Sequence, residues 1–133
     1  MFRIRSSTKN DVSFVYATWL KSYKYDSPLT KFTKSELFYN QHQKILDRLL
    51  LKAKVNVACD QNDEDLIFGY IVFEPHVIHY IYVKEPFRGY GIATKLLEAI
   101  EGSYQASHLT YSLLDLWSAK KINCEFNPYL LIL

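Results

Sequence analysis

Arg88, Gly89, Gly91 and Ala93 sit within six positions, between an apolar strand and an amphipathic helix. This is the local build of a phosphate cradle. Small residues let the main chain approach an anion, and the free amides of a helix start point at it. The six residues Arg88-Gly-Tyr-Gly-Ile-Ala93 fit an R-x-x-G-x-A pattern. No Lys-Ser or Lys-Thr follows Gly91, so the Walker spacing is excluded. The dinucleotide fingerprint is excluded too: Ala93 stands at its third small position, and no strand-end acid lies near residue 111. His79, on the same strand, carries the side chain best suited to proton transfer near neutral pH. Strict alternation puts it on the face of Ile81 and Val83, either as a base or as a buried structural imidazole.

These residues need a frame, and the chain supplies one. Its 133 residues suit a single domain over 1–133, and 49% hydrophobic residues suffice for one core. A net charge of +2 gives no strong nucleic-acid signal. Cys59 and Cys124 lack metal-type spacing and read as reduced core residues. The start Met-Phe-Arg-Ile-Arg has no apolar leader, and no run reaches membrane-span length. A soluble cytoplasmic protein is expected.

Phe2–Arg5 reads as a strand, and Asn10-Asp11 as the cap of a helix running to about Tyr23. Lys24–Thr33 is a loop. Thr33-Lys-Ser-Glu36 has the form of a capping box, opening a second helix to about Lys52. Strands follow at Val55–Asp60, Leu66–Phe73 and Val77–Val83. The helix after the Gly-rich loop is expected from Ile92 to about Tyr104, a strand over His108–Leu113, a short helix over Leu114–Lys121 and a last strand over Glu125–Ile132. The order is β-α-α-β-β-β-α-β-α-β, an α/β (α+β) domain with a mixed twisted sheet. Tyr129-Leu-Leu-Ile-Leu133 is apolar throughout. A strand of that kind is either central or covered by a partner, and a homodimer is the expectation.

The loop, with Ile81-Tyr-Val83 before it, Pro86 inside it and Leu96-Leu97 after it, resembles the coenzyme A loop of the GNAT N-acetyltransferases. The close match covers about 22 residues, and the order of elements extends it over nearly the whole chain. Thr18-Trp-Leu-Lys-Ser-Tyr23 also resembles a segment of small bacteriophage members. The resemblance implies a GNAT-like acyl-CoA N-acyltransferase fold in which the key strand and its successor splay apart. It implies acetyl-CoA as co-substrate, held by Ile81, Tyr82, Val83, Arg88, Gly89, Tyr90, Gly91, Ile92, Ala93 and Thr94. It implies direct acetyl transfer to an amine, on a small molecule or on a protein lysine or N-terminus.

His79 and Glu74 are then the candidate bases. A main-chain amide near Val83 would stabilise the oxyanion. Many members carry Asn, then Tyr seven residues later, as thiolate acid; Leu114–Phe126 has neither. Tyr111 takes that place in this reading, with Tyr129, Ser118 or a water as alternatives. Tyr23 and Tyr25 are the candidate acceptor contacts, and Lys21, Lys24, Lys31 and Lys34 bias that region to positive charge. The departure at the tyrosine keeps a second reading open, a catalytically inactive GNAT-fold module that binds coenzyme or protein.

Overall fold

The computed structural model describes residues 1–100, 102–118 and 123–132. β1 (Phe2–Ser6) leads through a short 3-10 turn into α1 (Val12–Asp26), and α2 (Ser35–Lys52) follows. β2 (Lys54–Asp60), β3 (Ile67–Glu74) and β4 (Val77–Val83) form consecutive hairpins. Then come α3 (Ile92–Leu97), β5 (Tyr104–Ala106), α4 (Tyr111–Ser118) and β6 (Cys124–Phe126). The expected order therefore stands. The six strands lie in one sheet in chain order, antiparallel from β1 to β4 and parallel from β4 to β6.

α1 and α2 cover one face, where Trp19, Leu46 and Leu49 pack on Val57, Tyr70, Val72 and Tyr80. α3 and α4 cover the other, where Ile92, Leu96 and Leu113 pack on Ala58, Ile71, Ile78 and Ile81. Ile78 and Ile81 share that face although they are three apart. The β3–β4 register slips between Val72 and Phe73, leaving His79 with no partner on β3. Such a bulge resets the alternation. The expected parity of His79 with Ile81 is therefore lost, and His79 is directed towards residues on the α1–α2 side.

Two expected element ends and one expected strand are corrected. The Thr33–Glu36 box does not form, because α2 starts at Ser35 with an extended Lys34 before it. Thr33 is instead held in the loop, its N–H on the Thr30 carbonyl and its own carbonyl taken by Lys24 Nζ at 2.7 Å. Asp11 is the N-cap residue of α1, as expected, although its carboxylate accepts from Arg5 at 2.7 Å and from the Thr8 amide at 2.7 Å rather than from an amide of α1. α3 ends at Leu97, not near Tyr104, because the next amides turn back three residues instead of four and Gly102 takes φ +71°. The expected strand over His108–Leu113 is replaced by β5 at Tyr104–Ala106 and the start of α4.

Of the expected helix over Leu114–Lys121, the last three residues lie outside the described ones. The apolar terminus is not a strand either: after β6, Pro128–Ile132 closes as a 3-10 turn, with Leu131 against the α1–α2 core. Cys59 and Cys124 are free thiols, as expected.

Candidate functional site

β4 and β5 pair only at Val77 with Gln105 and Ile78 with Ala106. Beyond Ile78 the strands part, and the rest of β4 has an open edge. Lys84 donates its amide to Phe68 on β3, so alternation turns the main-chain groups of Ile81 and Val83 outward to that edge. The Val83 carbonyl accordingly accepts the Arg88 Nε–H at 3.0 Å.

The chain then rounds a loop into α3. Gly89 (φ +87°) and Gly91 (φ +82°) both occupy the left-handed region that L side chains avoid. A Cβ at either would meet nothing within 4 Å, so backbone conformation rather than space selects glycine there. Among the described residues, the main-chain N–H groups of 89–94 find no acceptor in the chain.

The open edge, this loop, the end of α1 and one side of α4 enclose a cleft of about 480 Å³. Ile81, Tyr82, Val83, Arg88, Gly89, Gly91, Ile92, Ala93 and Thr94 line it. Nine of the ten expected coenzyme positions thus converge; Tyr90 points to solvent and does not line the cleft. The opposite wall was not legible in the sequence. Ser22 and Asp26 come from α1, Tyr80 from β4, and Ser112 and Asp115 from α4. Asp26 accepts the Ser112 hydroxyl at 2.7 Å, tying α1 to α4 across the cleft. Ser22 spends its proton on the Thr18 carbonyl at 2.6 Å, so the Tyr80 hydroxyl donates to Ser22 Oγ at 2.6 Å. Burial pushes the Tyr80 phenol well above its ordinary value, which keeps its proton in place.

The other expected residues lie off the cleft. His79 is 2% exposed and both ring nitrogens are engaged, Nε2 with Glu74 at 2.6 Å and Nδ1 with Ser107 at 2.7 Å. Glu74 is also 3.8 Å from Lys52 Nζ, on the side of β4 remote from the loop. Tyr111 starts α4 and is exposed. Tyr23, a candidate acceptor contact, is buried against Phe38, His42 and His108, whereas Tyr25 is 74% exposed. No described cluster of His, Cys, Asp or Glu is built to hold a metal ion, and no described helix is long and apolar enough to cross a membrane.

The mixed sheet forks after its fourth strand, and a glycine loop of amides with no acceptor among the described residues faces the fork. The sequence profile of the Acetyltransferase (GNAT) family matches residues 16–123, and the chain belongs to that family. No curated protein is significantly similar in sequence.

The fold matches the structure of a possible acetyltransferase from Clostridium difficile 630 with a TM-score of 0.61, at 17% identity, over 96% of this chain and 94% of that one. It matches apo-form YjaB from Escherichia coli with a TM-score of 0.56, at 19% identity, over 74% of this chain and 63% of that one. A GCN5-related N-acetyltransferase from Rhodopseudomonas palustris gives 0.53 at 17% identity, over 89% and 66%. The chain therefore spans less than two thirds of the latter two proteins.

Proposed function

We propose that the chain is an acetyl-CoA-dependent N-acetyltransferase acting by direct attack of an amine in a ternary complex. The observation that carries this reading is the set of unpartnered amides at residues 89–94 on the rim of the cleft. Unpaired main-chain donors are costly unless water or a ligand satisfies them, and a diphosphate does so with charge-assisted bonds. The residues fit the co-substrate. The loop would hold the pyrophosphate, with the remaining N–H groups of the Arg88 guanidinium beside it. The outward groups of Ile81 and Val83 would pair with the amide-bearing arm.

Acetyl-CoA supplies the activated acyl group as a thioester. The chain's own residues do the rest. Asp26 and Asp115 bring carboxylates to the wall opposite the loop, where an amine must shed a proton. They replace His79 and Glu74 as candidate bases, because His79 has no free nitrogen facing the cleft. Tyr80, retaining its proton, and Tyr82 are the tyrosines on the cleft, whereas Tyr111 and Tyr129 lie off it. The acceptor is an amine on a small molecule or a protein, and the same reading places the protein in the cytoplasm.

Thermal unfolding with and without acetyl-CoA tests the reading. A ligand at a hundredfold excess over its Kd adds about 2.7 kcal/mol, on the order of 10 °C for a chain of this size. Gly91→Glu, which puts a negative side chain in the cradle, is expected to lose that shift. No shift in the parent chain, or an equal shift in the variant, rejects the site. The displacement of Tyr111 and Tyr129 favours the second reading, a binding-only module. A full thermal shift without thiol release across a panel of peptide and small-molecule amines establishes that module instead.

A further inference from the structure

A second polar assembly lies just inside the fork, and the cleft chemistry does not use it. Glu74 on β3, His79 on β4, Ser107 and His108 just after β5, and His42 on α2 form one unbroken chain. Its contacts are 2.6 Å from Glu74 to His79, 2.7 Å to Ser107, 2.9 Å to His108 and 2.8 Å to His42. It crosses the sheet at the position where β4 and β5 part, since Ile78 and Ala106 are their last pair. The three imidazoles and Ser107 are buried, while the Glu74 side chain is 27% exposed.

The donors have a single consistent direction. A carboxylate only accepts, so His79 donates Nε2–H to Glu74. His79 Nδ1 then accepts the Ser107 hydroxyl, Ser107 Oγ accepts His108 Nδ1–H, and His108 Nε2 accepts His42 Nε2–H. Only His42 Nδ1 keeps a lone pair with no partner among the described residues.

We propose that these five side chains act as one proton-linked clamp on the β4–β5 fork, taking up a single proton at His42 Nδ1 while the positive charge settles on His79 beside Glu74. The proton count balances. When a proton binds His42 Nδ1, His42 passes its Nε2 proton to His108 Nε2, and His108 passes its Nδ1 proton to Ser107. Ser107 passes its hydroxyl proton to His79 Nδ1, which becomes imidazolium. One proton enters, none leaves, the three bonds between His79 and His42 reverse without breaking, and His79 Nε2–H stays on Glu74 throughout. The clamp is thus closed in both states, and β4, β5 and α2 stay stitched where the cleft opens.

The surroundings fit one charge at the Glu74 end and none at the other. Glu74 and Lys52 are the charged groups facing His79. His108 and His42 are enclosed by Trp19, Tyr23, Phe38 and Tyr80. Burial lowers the basicity of all three rings, and Glu74 alone opposes this, at His79.

The test is long-range ¹H–¹⁵N spectroscopy of the full chain labelled at histidine, from pH 7.5 down to the onset of acid unfolding. At pH 7.5 the clamp requires Nε2–H at His79, Nδ1–H at His108 and Nε2–H at His42. On acidification the three rings are expected to change at one shared midpoint. Only His79 becomes doubly protonated, while His108 and His42 exchange tautomers. Ser107→Ala cuts the chain, so the shared transition is expected to vanish. Glu74→Gln sits at a half-exposed position and keeps an acceptor for His79; it is expected to lower the shared midpoint by a pH unit or more. Separate midpoints, a different tautomer at any ring, no shared transition before unfolding, or an unmoved midpoint in Glu74→Gln each overturns the proposal.

Discussion

Two glycines of the sheet and loop are glycine for opposite reasons, and substitution separates them. A Cβ on Gly69 would lie 2.4 Å from the Tyr82 carbonyl oxygen and 3.1 Å from the Val83 Cα, both main-chain atoms of the strand that borders the cleft. Gly69→Ala must push β3 from β4, an overpacking cost of about 3 kcal/mol. At Gly91 the same methyl meets open space and only the left-handed backbone resists it, for about 1–2 kcal/mol. Urea midpoints are expected to fall in that order, with unchanged m-values. The sequence announces Gly91 through its neighbours, because a loop's chemistry is contiguous in the chain. It is silent about Gly69, whose requirement comes from a strand 14 residues further on, as the pairing with Val83 shows.

Elements are held in place here by polar straps as much as by apolar faces. Lys24, in the last turns of α1, is 7% exposed, and its ammonium donates to the Thr30 and Thr33 carbonyls at 2.8 and 2.7 Å. Thr30 Oγ1 returns a bond to the Tyr23 carbonyl at 2.9 Å, closing the loop on the helix end. Lys24→Met keeps the stem but leaves two carbonyls without a charged donor, at about 2–3 kcal/mol. Hydrogen exchange of the amides over 27–34 is expected to quicken in that variant, while β3 and β4 stay protected. Equal protection in the loop would show that the strap contributes nothing.

This strap also explains a misread boundary. Thr33-Lys-Ser-Glu36 has a cap's composition, but a lysine nine residues earlier claims Thr33. Periodicity located the elements as far as α3 because hydrophobic spacing is local, whereas β5 lies wholly outside the expected His108–Leu113. Their ends, the bulge at His79 and the α1–α4 wall of the cleft were decided by partners distant in sequence, and no spacing rule reports those. Ser22 reads as a polar position on a helix and Asp26 as part of a loop until α1 extends to Asp26 and α4 is brought against both.

At the scale of the whole molecule, the buried imidazoles set how stability depends on pH. The unfolded chain charges its histidines near 6.5. Folding lowers His42 to about 4 and shifts His79 and His108 the same way, in each case first through burial. The sign follows from proton counting. Below 6.5 the unfolded state binds protons that the folded state refuses, so stability is complete above 6.5 and declines as pH falls towards the folded values. His42 alone, between 6.5 and about 4, is worth about 3 kcal/mol at 1.36 kcal/mol per pH unit.

Urea unfolding at pH 7, 6 and 5 is expected to show a steady fall, steepest between 6 and 5. A flat profile would mean that the three rings are charged or exposed in the folded protein. The slope also counts the protons involved. Three independent neutral rings give about 4 kcal/mol per pH unit once the unfolded histidines are charged. A folded state that has taken up one proton through the clamp gives about 2.7. The same titration that measures the molecule's acid tolerance therefore counts how many of the three rings the folded protein leaves uncharged.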